Sequence, residues 1–508
     1  MAFISSVFSW LMKKRLHQIA LFMKYPHDVQ QEWLRKLLNT ARNTEWGKKY
    51  DYASITGPEE YRRRVPVSTY EDLHPLISKI RKGQQNVLWP TDINWFAKSS
   101  GTSAGKSKFI PVSKEALEEC HYKGGKDLLS IYCDLNPDTE LFDGKLLGMG
   151  GSWAYDGENP ESYYGDVSAI LMQNLPFWVE LMRTPSISIA LMDEWEQKIE
   201  KMARITSGHN VTGISGVPSW TLLLCRRVLE ITGRQNLAEV WPKLEMFVHG
   251  GVSFQPYHEQ FKQIMPDNLH YMETYNASEG FFGIQDRRNA GDMLLMLDYG
   301  IFYEFMTLDQ LNSNDPQTLG LEEVVPGVNY AMIISTNAGL WRYMIGDTVM
   351  FTSVSPYRIH ITGRTKSFIN AFGEELIIDN AEKAIRIACE KTDARVHEYT
   401  AAPHFYKNKT HAAHEWVIEF DRAPDNIEYF AEMLDNALKS LNSDYEAKRY
   451  HNMILDMPII HRVPSNTFYQ WMKRQGKLGG QHKVPRLSNS RKYVEDILKD
   501  LHHGSPRP

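Results

Sequence analysis

Apolar positions recur at helical spacing along the first ninety residues, as at Trp33, Leu34, Leu37 and Leu38, and predict a helical opening to the chain. From Ile93 the period changes. Short apolar runs of strand length alternate with amphipathic stretches, the pattern of an α/β architecture. Strands are predicted at Lys145–Met149, Val211–Ser215, Met246–His249, Leu294–Leu297, Phe302–Met306, Tyr330–Ile334 and Val349–Phe351. Helices are predicted at Leu171–Met182, Asp193–Ser207, Ser219–Ile231 and Pro256–Ile264. A boundary falls at Gly363-Arg364-Thr365-Lys366. Beyond it come a helix at Asp379–Cys389, a strand at Glu415–Phe420, an amphipathic helix at Ile427–Leu441, an extended run at Met453–Arg462 and a helix at Arg491–Leu501. That is enough for a separate small α+β domain. The expected division is a large domain over 1–365 and a small one over 366–508.

Composition narrows the class without naming a function. At 508 residues the chain exceeds one ordinary core, and 42% hydrophobic content suits well-buried domains. The net charge of -5, with both signs interspersed, offers no basic stripe for nucleic acid. Cys120, Cys133, Cys225 and Cys389 lie far apart with no C-x-x-C spacing, as expected of reduced thiols in a cytoplasmic protein. The apolar run Ala2–Met12 precedes Lys13-Lys14-Arg15, the reverse of a signal peptide's order, and is too short to span a bilayer. It reads as an amphipathic helix lying on the protein, and no stable membrane insertion is expected.

The most informative stretch is Ser99-Ser100-Gly101-Thr102-Ser103-Ala104-Gly105-Lys106-Ser107-Lys108, set between two strand-like runs. Glycines let backbone N–H groups approach an anion, hydroxyls add donors and lysine adds charge, a composition suited to a polyphosphate. It is not a Walker loop. Three residues separate Gly101 from Gly105 where that motif has four, and a strand with Pro111 follows instead of a helix.

Further segments are weaker singly. Tyr275-Asn276-Ala277-Ser278-Glu279-Gly280 follows a predicted strand and reads as a lip of the sheet, with an aromatic face for a base and a carboxylate for Mg²⁺. A surface turn with a solvated glutamate has the same composition. Arg342-Tyr343-Met344-Ile345-Gly346-Asp347 places Asp347 after a glycine turn, either to accept ribose hydroxyls or to cap its own turn. Gly363–Lys366 suits a polar hinge or an ordinary linker. Gly479–Arg486 presents Lys483 on a glycine-flanked loop, where a lone lysine is usually solvated.

In order and spacing, these segments together resemble the adenylate-forming superfamily. More narrowly, they resemble the Gretchen Hagen, auxin-responsive acyl acid amido synthetase family. Ser99–Lys108 is similar to its phosphate loop, Tyr275–Gly280 to its Y-x-x-S-E motif, Arg342–Asp347 to its R-Y-x-x-G-D motif and Gln481–Arg486 to its Q-x-K-x-P-R loop. Met344 departs from the pattern, which often has a second arginine there.

The resemblance implies a large N-terminal adenylate-forming α/β domain, with β-sheets and flanking helices, hinged to the small, mobile C-terminal one. It implies an ATP- and Mg²⁺-dependent ligase that converts a carboxylic acid to acyl-AMP and then passes the acyl group to an amine, typically of an amino acid. On that resemblance Ser99, Ser100, Gly101, Thr102 and Ser103 cradle phosphates and Lys108 adds charge. Glu279 holds the metal, Tyr275, Asn276, Ser278, Gly250 and Gly251 flank the base, and Asp347 takes the ribose. Arg358 and Arg364 bind the nucleotide and, with Lys366, lie near the hinge, and Lys483 acts at the α-phosphate. His249, in the adenine-side segment, is read as structural. Gly213–Trp220 and Gly150, Gly151, Ser152 and Trp153 are candidates for the acid pocket. Acyl- or aryl-CoA ligation shares the first half-reaction and is the alternative. A nucleotide-binding scaffold without turnover is opposed by the intact Glu279, Asp347 and Lys483. The acid, the amine and the oligomeric state stay open.

Overall fold

The apolar stripe of the opening segment folds as expected. Helix α1 (Pro26–Ala41) starts on a proline, which has no N–H to leave unpaired, and buries Leu34, Leu37, Leu38 and Ala41. Its polar exception is useful. Gln30, also buried, donates to the carbonyls of Leu297 and Ile301 at 2.9 Å each and accepts from the Tyr303 N–H at 2.9 Å, so it caps a strand edge. Helix α2 (Tyr70–Arg81) begins where the Thr69 N–H donates to the Asp72 carboxylate at 2.8 Å. The structure is a computed structural model. It describes residues 15–503 apart from 104–105, 158, 252–253, 255–256, 314, 366–367, 370–375, 407–411, 443–444, 447–448, 450–454 and 477–483. The predicted amphipathic helix at Ala2–Met12 lies outside the described residues.

The strands are β1 (Trp95–Ser103), β2 (Lys106–Val112), β3 (Lys145–Gly148), β4 (Trp153–Asp156), β5 (Asn159–Gly165), β6 (Arg183–Thr184), β7 (Val211–Ser215) and β8 (Met246–Gly250). They continue with β9 (His270–Ala277), β10 (Gly280–Ile284), β11 (Met293–Leu295), β12 (Ile301–Thr307), β13 (Asn329–Thr336), β14 (Tyr343–Val354) and β15 (Tyr357–Arg364). An eleven-stranded sheet runs β12-β13-β14-β15-β11-β10-β9-β8-β7-β3-β6. Its β9-β8-β7-β3-β6 half is parallel. Parallel strands are covered on both faces, and β7 and β8 are buried over Val211–Ile214 and Met246–His249. Helices α3 (Tyr122–Leu135), α4 (Trp195–Thr206) and α5 (Pro218–Thr232) belong to this unit. A core cluster joins Val211 and Ile214 of β7, Phe247 of β8, Met202 and Ala203 of α4 and Leu224, Cys225 and Val228 of α5. A four-stranded sheet, β2-β1-β5-β4, carries the hairpin that flanks the Ser/Gly-rich loop.

The described residues divide into two compact units. The larger runs to Ile345 and includes Met350–His360; the smaller comprises Gly346–Val349 and the described chain from Ile361 onward. In the smaller unit a two-stranded pair, β16 (Phe368–Ile369) and β17 (Leu376–Ile377), precedes a sheet of β18 (Arg395–Phe405), β19 (Ala412–Arg422) and β20 (Ile459–Val463). Helices α6 (Ile378–Thr392) and α7 (Ile427–Leu441) share its core with Tyr399, Trp416 and Ile418, and α8 (Lys492–His503) follows.

Two local expectations are corrected. The helix predicted over Leu171–Met182 is two short ones, Val167–Gln173 and Phe177–Glu180, because Pro176 cannot donate a helical N–H and disfavours helix at Leu175. Val349–Phe351 is the middle of the twelve-residue β14, and Gly346 is no turn. At φ +93° it bends a continuous strand, a conformation only glycine adopts freely.

Candidate active site

Parallel pairing puts the carboxyl ends of β9, β8, β7, β3 and β6 on one edge of the sheet, where open α/β folds bind ligands. Four of the sequence-predicted segments lie there: those at Gly150–Trp153, Gly213–Trp220, Gly250–Gly251 and Tyr275–Gly280. β8 closes on Gly250, where a Cβ would stand 2.3 Å from the Thr274 carbonyl of β9, so the two chains can approach only without a side chain. Gly251 follows at φ +79°; Val252 and Ser253 lie outside the described residues. His249 is buried and stacks on Phe254 at 4.2 Å, and burial presses its pKa down to about 3. It is a neutral packing residue, as read from sequence.

β9 and β10 form a hairpin with Ser278-Glu279 at its turn. Glu279 and Asn276 are half-buried and Ser278 is buried. Tyr275 is buried with its ring tilted against Phe282 at 4.8 Å, so Phe282 covers part of the aromatic surface expected to meet a base. Behind the turn lies a π-helical segment, Ala116–His121. Its Cys120 sulfur accepts the Phe281 N–H at 3.1 Å, and a Cβ on Gly124 would meet the Phe281 ring at 2.7 Å. Burial pushes the Cys120 thiol up to about 12, so it serves as an acceptor and not as a nucleophile.

The Ser/Gly-rich segment is the tip of the β1–β2 hairpin, in which Ser99 pairs with Lys108 and Ser103 with Lys106. The side chains of Ser100, Gly101, Thr102 and Ser103 lie outside the described ones. Lys108 is half-buried. Its ammonium donates to the Tyr343 hydroxyl at 3.5 Å and lies 5.6 Å from the centre of the Tyr70 ring, which brings the start of β2's apolar half beside Tyr343. The Phe109 N–H donates to the Tyr70 hydroxyl at 2.9 Å. Arg81 covers the Phe109 ring at 3.8 Å and pairs with Asp156 at 2.7 Å, which ties the hairpin to α2 and β4.

Arg342 turns inward, away from any ligand. It is 3% exposed, pairs with Glu304 through two bonds of 3.0 Å, and donates to Thr318 at 2.6 Å and to the Arg62 and Val65 carbonyls at 2.7 and 2.5 Å. Met344, half-buried, packs against the apolar cluster of Met306, Ala331 and Ile333. Arg358, expected at the nucleotide, is buried and makes a two-pronged pair with Asp286, one arm at 2.8 Å. In the smaller unit Asp347 and Arg364 come together as an ion pair at 2.8 Å with Arg364 exposed, and the Thr365 N–H closes on the Gly346 carbonyl at 2.8 Å. Lys366 and Lys483 lie outside the described residues. Past Lys483 the loop is stitched to β18: Thr400 donates to the Pro485 carbonyl at 2.6 Å, Ala401 N–H to that of Arg486 at 2.8 Å, and Arg486 pairs with Glu398 at 3.0 Å. Among the described residues no group of three or more His, Cys, Asp or Glu could hold a metal, and all four cysteines are free.

Comparison with known proteins places this arrangement. Residues 15–270 match the GH3 family N-terminal domain, 294–364 its central domain and 379–492 its C-terminal domain. The chain belongs to the GH3 family. Similar GH3 relatives include an Arabidopsis thaliana indole-3-acetic acid-amido synthetase, GH3.3, 22% identical over 94% of this chain and 93% of that one. Another is the Nicotiana attenuata jasmonoyl–L-amino acid synthetase JAR4, 22% identical over 93% and 92%. The solved structure of AtGH3.15 acyl acid amido synthetase in complex with 2,4-DB shares the fold, with a TM-score of 0.78, 17% identity and 96% of both chains covered.

Within this GH3 chain, sequence reasoning missed the residues that hold the motifs in place: Glu304, Thr318, Asp286 and Cys120. Only Glu304 left a trace, a carboxylate inside the apolar run Phe302–Met306, which a strand this buried keeps only for a partner.

Proposed function

We propose that this protein is an ATP-dependent, AMP-forming acyl acid amido synthetase. It activates a carboxylic acid as acyl-AMP and transfers the acyl group to an amine, most simply the α-amine of an amino acid. The observation that carries this reading is the pairing of a Ser/Gly phosphate hairpin, held beside Tyr343 by Lys108, with a sheet edge ending in Gly250 and Glu279, in a chain of GH3 membership throughout.

The chemistry needs charge stabilisation more than a nucleophile. A carboxylate is a poor electrophile, and its in-line attack on the α-phosphate builds charge that positioned donors must meet. In this reading Ser99, Ser100, Gly101, Thr102 and Ser103 cradle the β- and γ-phosphates and Lys108 supplies positive charge. Gly250, Gly251, Tyr275, Asn276 and Ser278 shape the base pocket, Asp347 accepts the ribose hydroxyls and Arg364 orients that carboxylate. Arg358 enters only through Asp286. Glu279 is a single half-buried carboxylate at a turn, and that fits Mg²⁺, which takes one or two protein carboxylates and completes its shell with phosphate and water. When bound, the ion neutralises phosphate charge. Lys483 acts at the α-phosphate in one half-reaction, and residues 366–508 rotate about a hinge near Arg364 and Lys366 between the two halves. Among the described residues no helix is long and apolar enough to cross a membrane; with four free cysteines, we place the protein in the cytoplasm.

One assay tests the whole reading. The purified protein receives ATP, Mg²⁺, the amino acids, coenzyme A and a pool of acids including indole-3-acetate, jasmonate and benzoates, and products are read by mass spectrometry. AMP with a new amide is the expected result and names both substrates. AMP with a thioester moves the protein to the ligase branch, and ADP as sole nucleotide product overturns adenylation.

A further inference from the structure

Next to the ends of β3 and β7, a buried cation donates to two main-chain carbonyls. Lys198 of α4 is 2% exposed, and its ammonium donates to the Gly150 carbonyl at 2.8 Å and to that of Gly151 at 3.4 Å. Burial lowers its pKa to about 8 against the opposing pull of Asp166 and Asp193. An apolar side chain would fill this place without that desolvation cost, so a lysine here points to a requirement other than core stability. The same loop is held from its other side. The Ser152 N–H donates to the Asp166 carboxylate at 3.0 Å, the Gly151 N–H to the Ser168 hydroxyl at 3.0 Å, and the Asp166 N–H to the Ser152 carbonyl at 2.9 Å. A Cβ on Gly151 would stand 1.7 Å from the Asp166 carboxylate, so the loop is pressed directly against it.

We propose that Lys198 is a positioning residue for the acid substrate, fixing the Gly150–Ser152 loop as the acid-side rim of the active site. This rests on the adenylation reading above. The sheet order decides why the acid, and not ATP, is concerned. Gly148 pairs with Ser215, so the loop continues β3 and lies beside the Ser215–Val217 turn after β7. β3 is two strands beyond β8, roughly 10 Å along the edge from Gly250 and farther still from Glu279. A rim held on both faces is pre-ordered, which lowers the entropic cost of seating a small carboxylic acid against it.

The test uses the full-length protein with Lys198→Met, and with Ser168→Ala as a milder variant that leaves Lys198 in place. Hydrogen exchange read by mass spectrometry should show the Gly151 and Ser152 amides exchanging tenfold or more faster in K198M, with 246–250 and 270–284 unchanged. Acid-dependent ATP–pyrophosphate exchange, run with the indole-3-acetate, jasmonate and benzoate panel, should show a tenfold or greater rise in KM for the acid and a KM for ATP within twofold. S168A should move both readouts in the same direction by less. Unchanged loop exchange, or a KM for ATP rising with that for the acid, overturns the proposal. If the wild type activates no acid of the panel, the amido synthetase reading fails by itself. Loss of loop protection in K198M then still upholds the clamp, and unchanged protection removes it.

Discussion

The Arg342 guanidinium and the Glu304 carboxylate, 38 positions apart, neutralise each other inside the core, with Thr318 and two main-chain carbonyls completing the shell. Removing Glu304 leaves the Arg342 charge buried and without its carboxylate, which costs about 3–5 kcal/mol, whereas removing Arg342 leaves Glu304 with Arg62 at 3.6 Å. Glu304→Leu is therefore expected to lower unfolding stability by that amount in urea titrations, and the double variant with Arg342→Met should recover much of it. Glu415 poses a pH question in the smaller unit. Burial alone would raise its pKa, but hydrogen bonds from His461 (2.8 Å) and Arg491 outweigh burial and hold it at about 2. Its folded pKa lies below the unfolded value near 4.5, so its stabilisation is present above pH 4.5 and is lost as pH falls toward 2. That is on the order of 3 kcal/mol. Glu415→Gln should flatten the acid limb of the stability curve over this window in chemical denaturation at stepped pH.

At the scale of elements, adjacent glycines of α3 have opposite roles. Gly124 faces the Phe281 ring, where a Cβ would come within 2.7 Å, whereas a Cβ on Gly125 would meet nothing within 4 Å. Gly125→Ala should stabilise by up to about 1 kcal/mol through helix propensity. Gly124→Ala should cost about 1–3 kcal/mol by overpacking. It should also slow adenylation, because Phe281 follows the Glu279 turn directly. Thermal unfolding of the two variants side by side checks both signs. The π-helical segment just before α3 belongs to the same device: it carries Cys120 to the Phe281 N–H. No helix is predicted here from the hydrophobic period, and the π-turn is set by what the helix must reach.

For the molecule as a whole, kinetics can separate the two half-reactions. Glu279→Gln should slow acyl-AMP formation by roughly 10²–10³-fold while the protein still converts supplied acyl-AMP and amine to amide. Lys483→Ala should slow one half-reaction and spare the other. Rapid-quench measurement of AMP formation and amide release checks both; wild-type rates in both halves for K483A would remove Lys483 from the mechanism.

Local structure was legible in the chain alone. Hydrophobic period set the parallel strands at Val211–Ser215 and Met246–Gly250 and the helices around them, to within a residue or two. The miscounted Walker spacing and Pro111 distinguished a hairpin from a helix-opening loop, and Pro176 carried the helix break that period alone overran. These outcomes depend on steric and hydrogen-bonding terms between near neighbours, which composition encodes directly. Tertiary structure decided which polar residues face a ligand and which face each other. Arg358 reads as a nucleotide contact along the chain, yet it pairs with Asp286, and Arg342 of the R-Y-x-x-G-D segment pairs with Glu304, across strands whose pairing no short window contains. Lys198 gave no sequence signal at all, since a lysine in an amphipathic helix ordinarily points to water. Its role exists only because α4 packs where the loop after β3 leaves the sheet edge. Burial and register, the two quantities that convert a charged residue into a partner, are set by the whole fold.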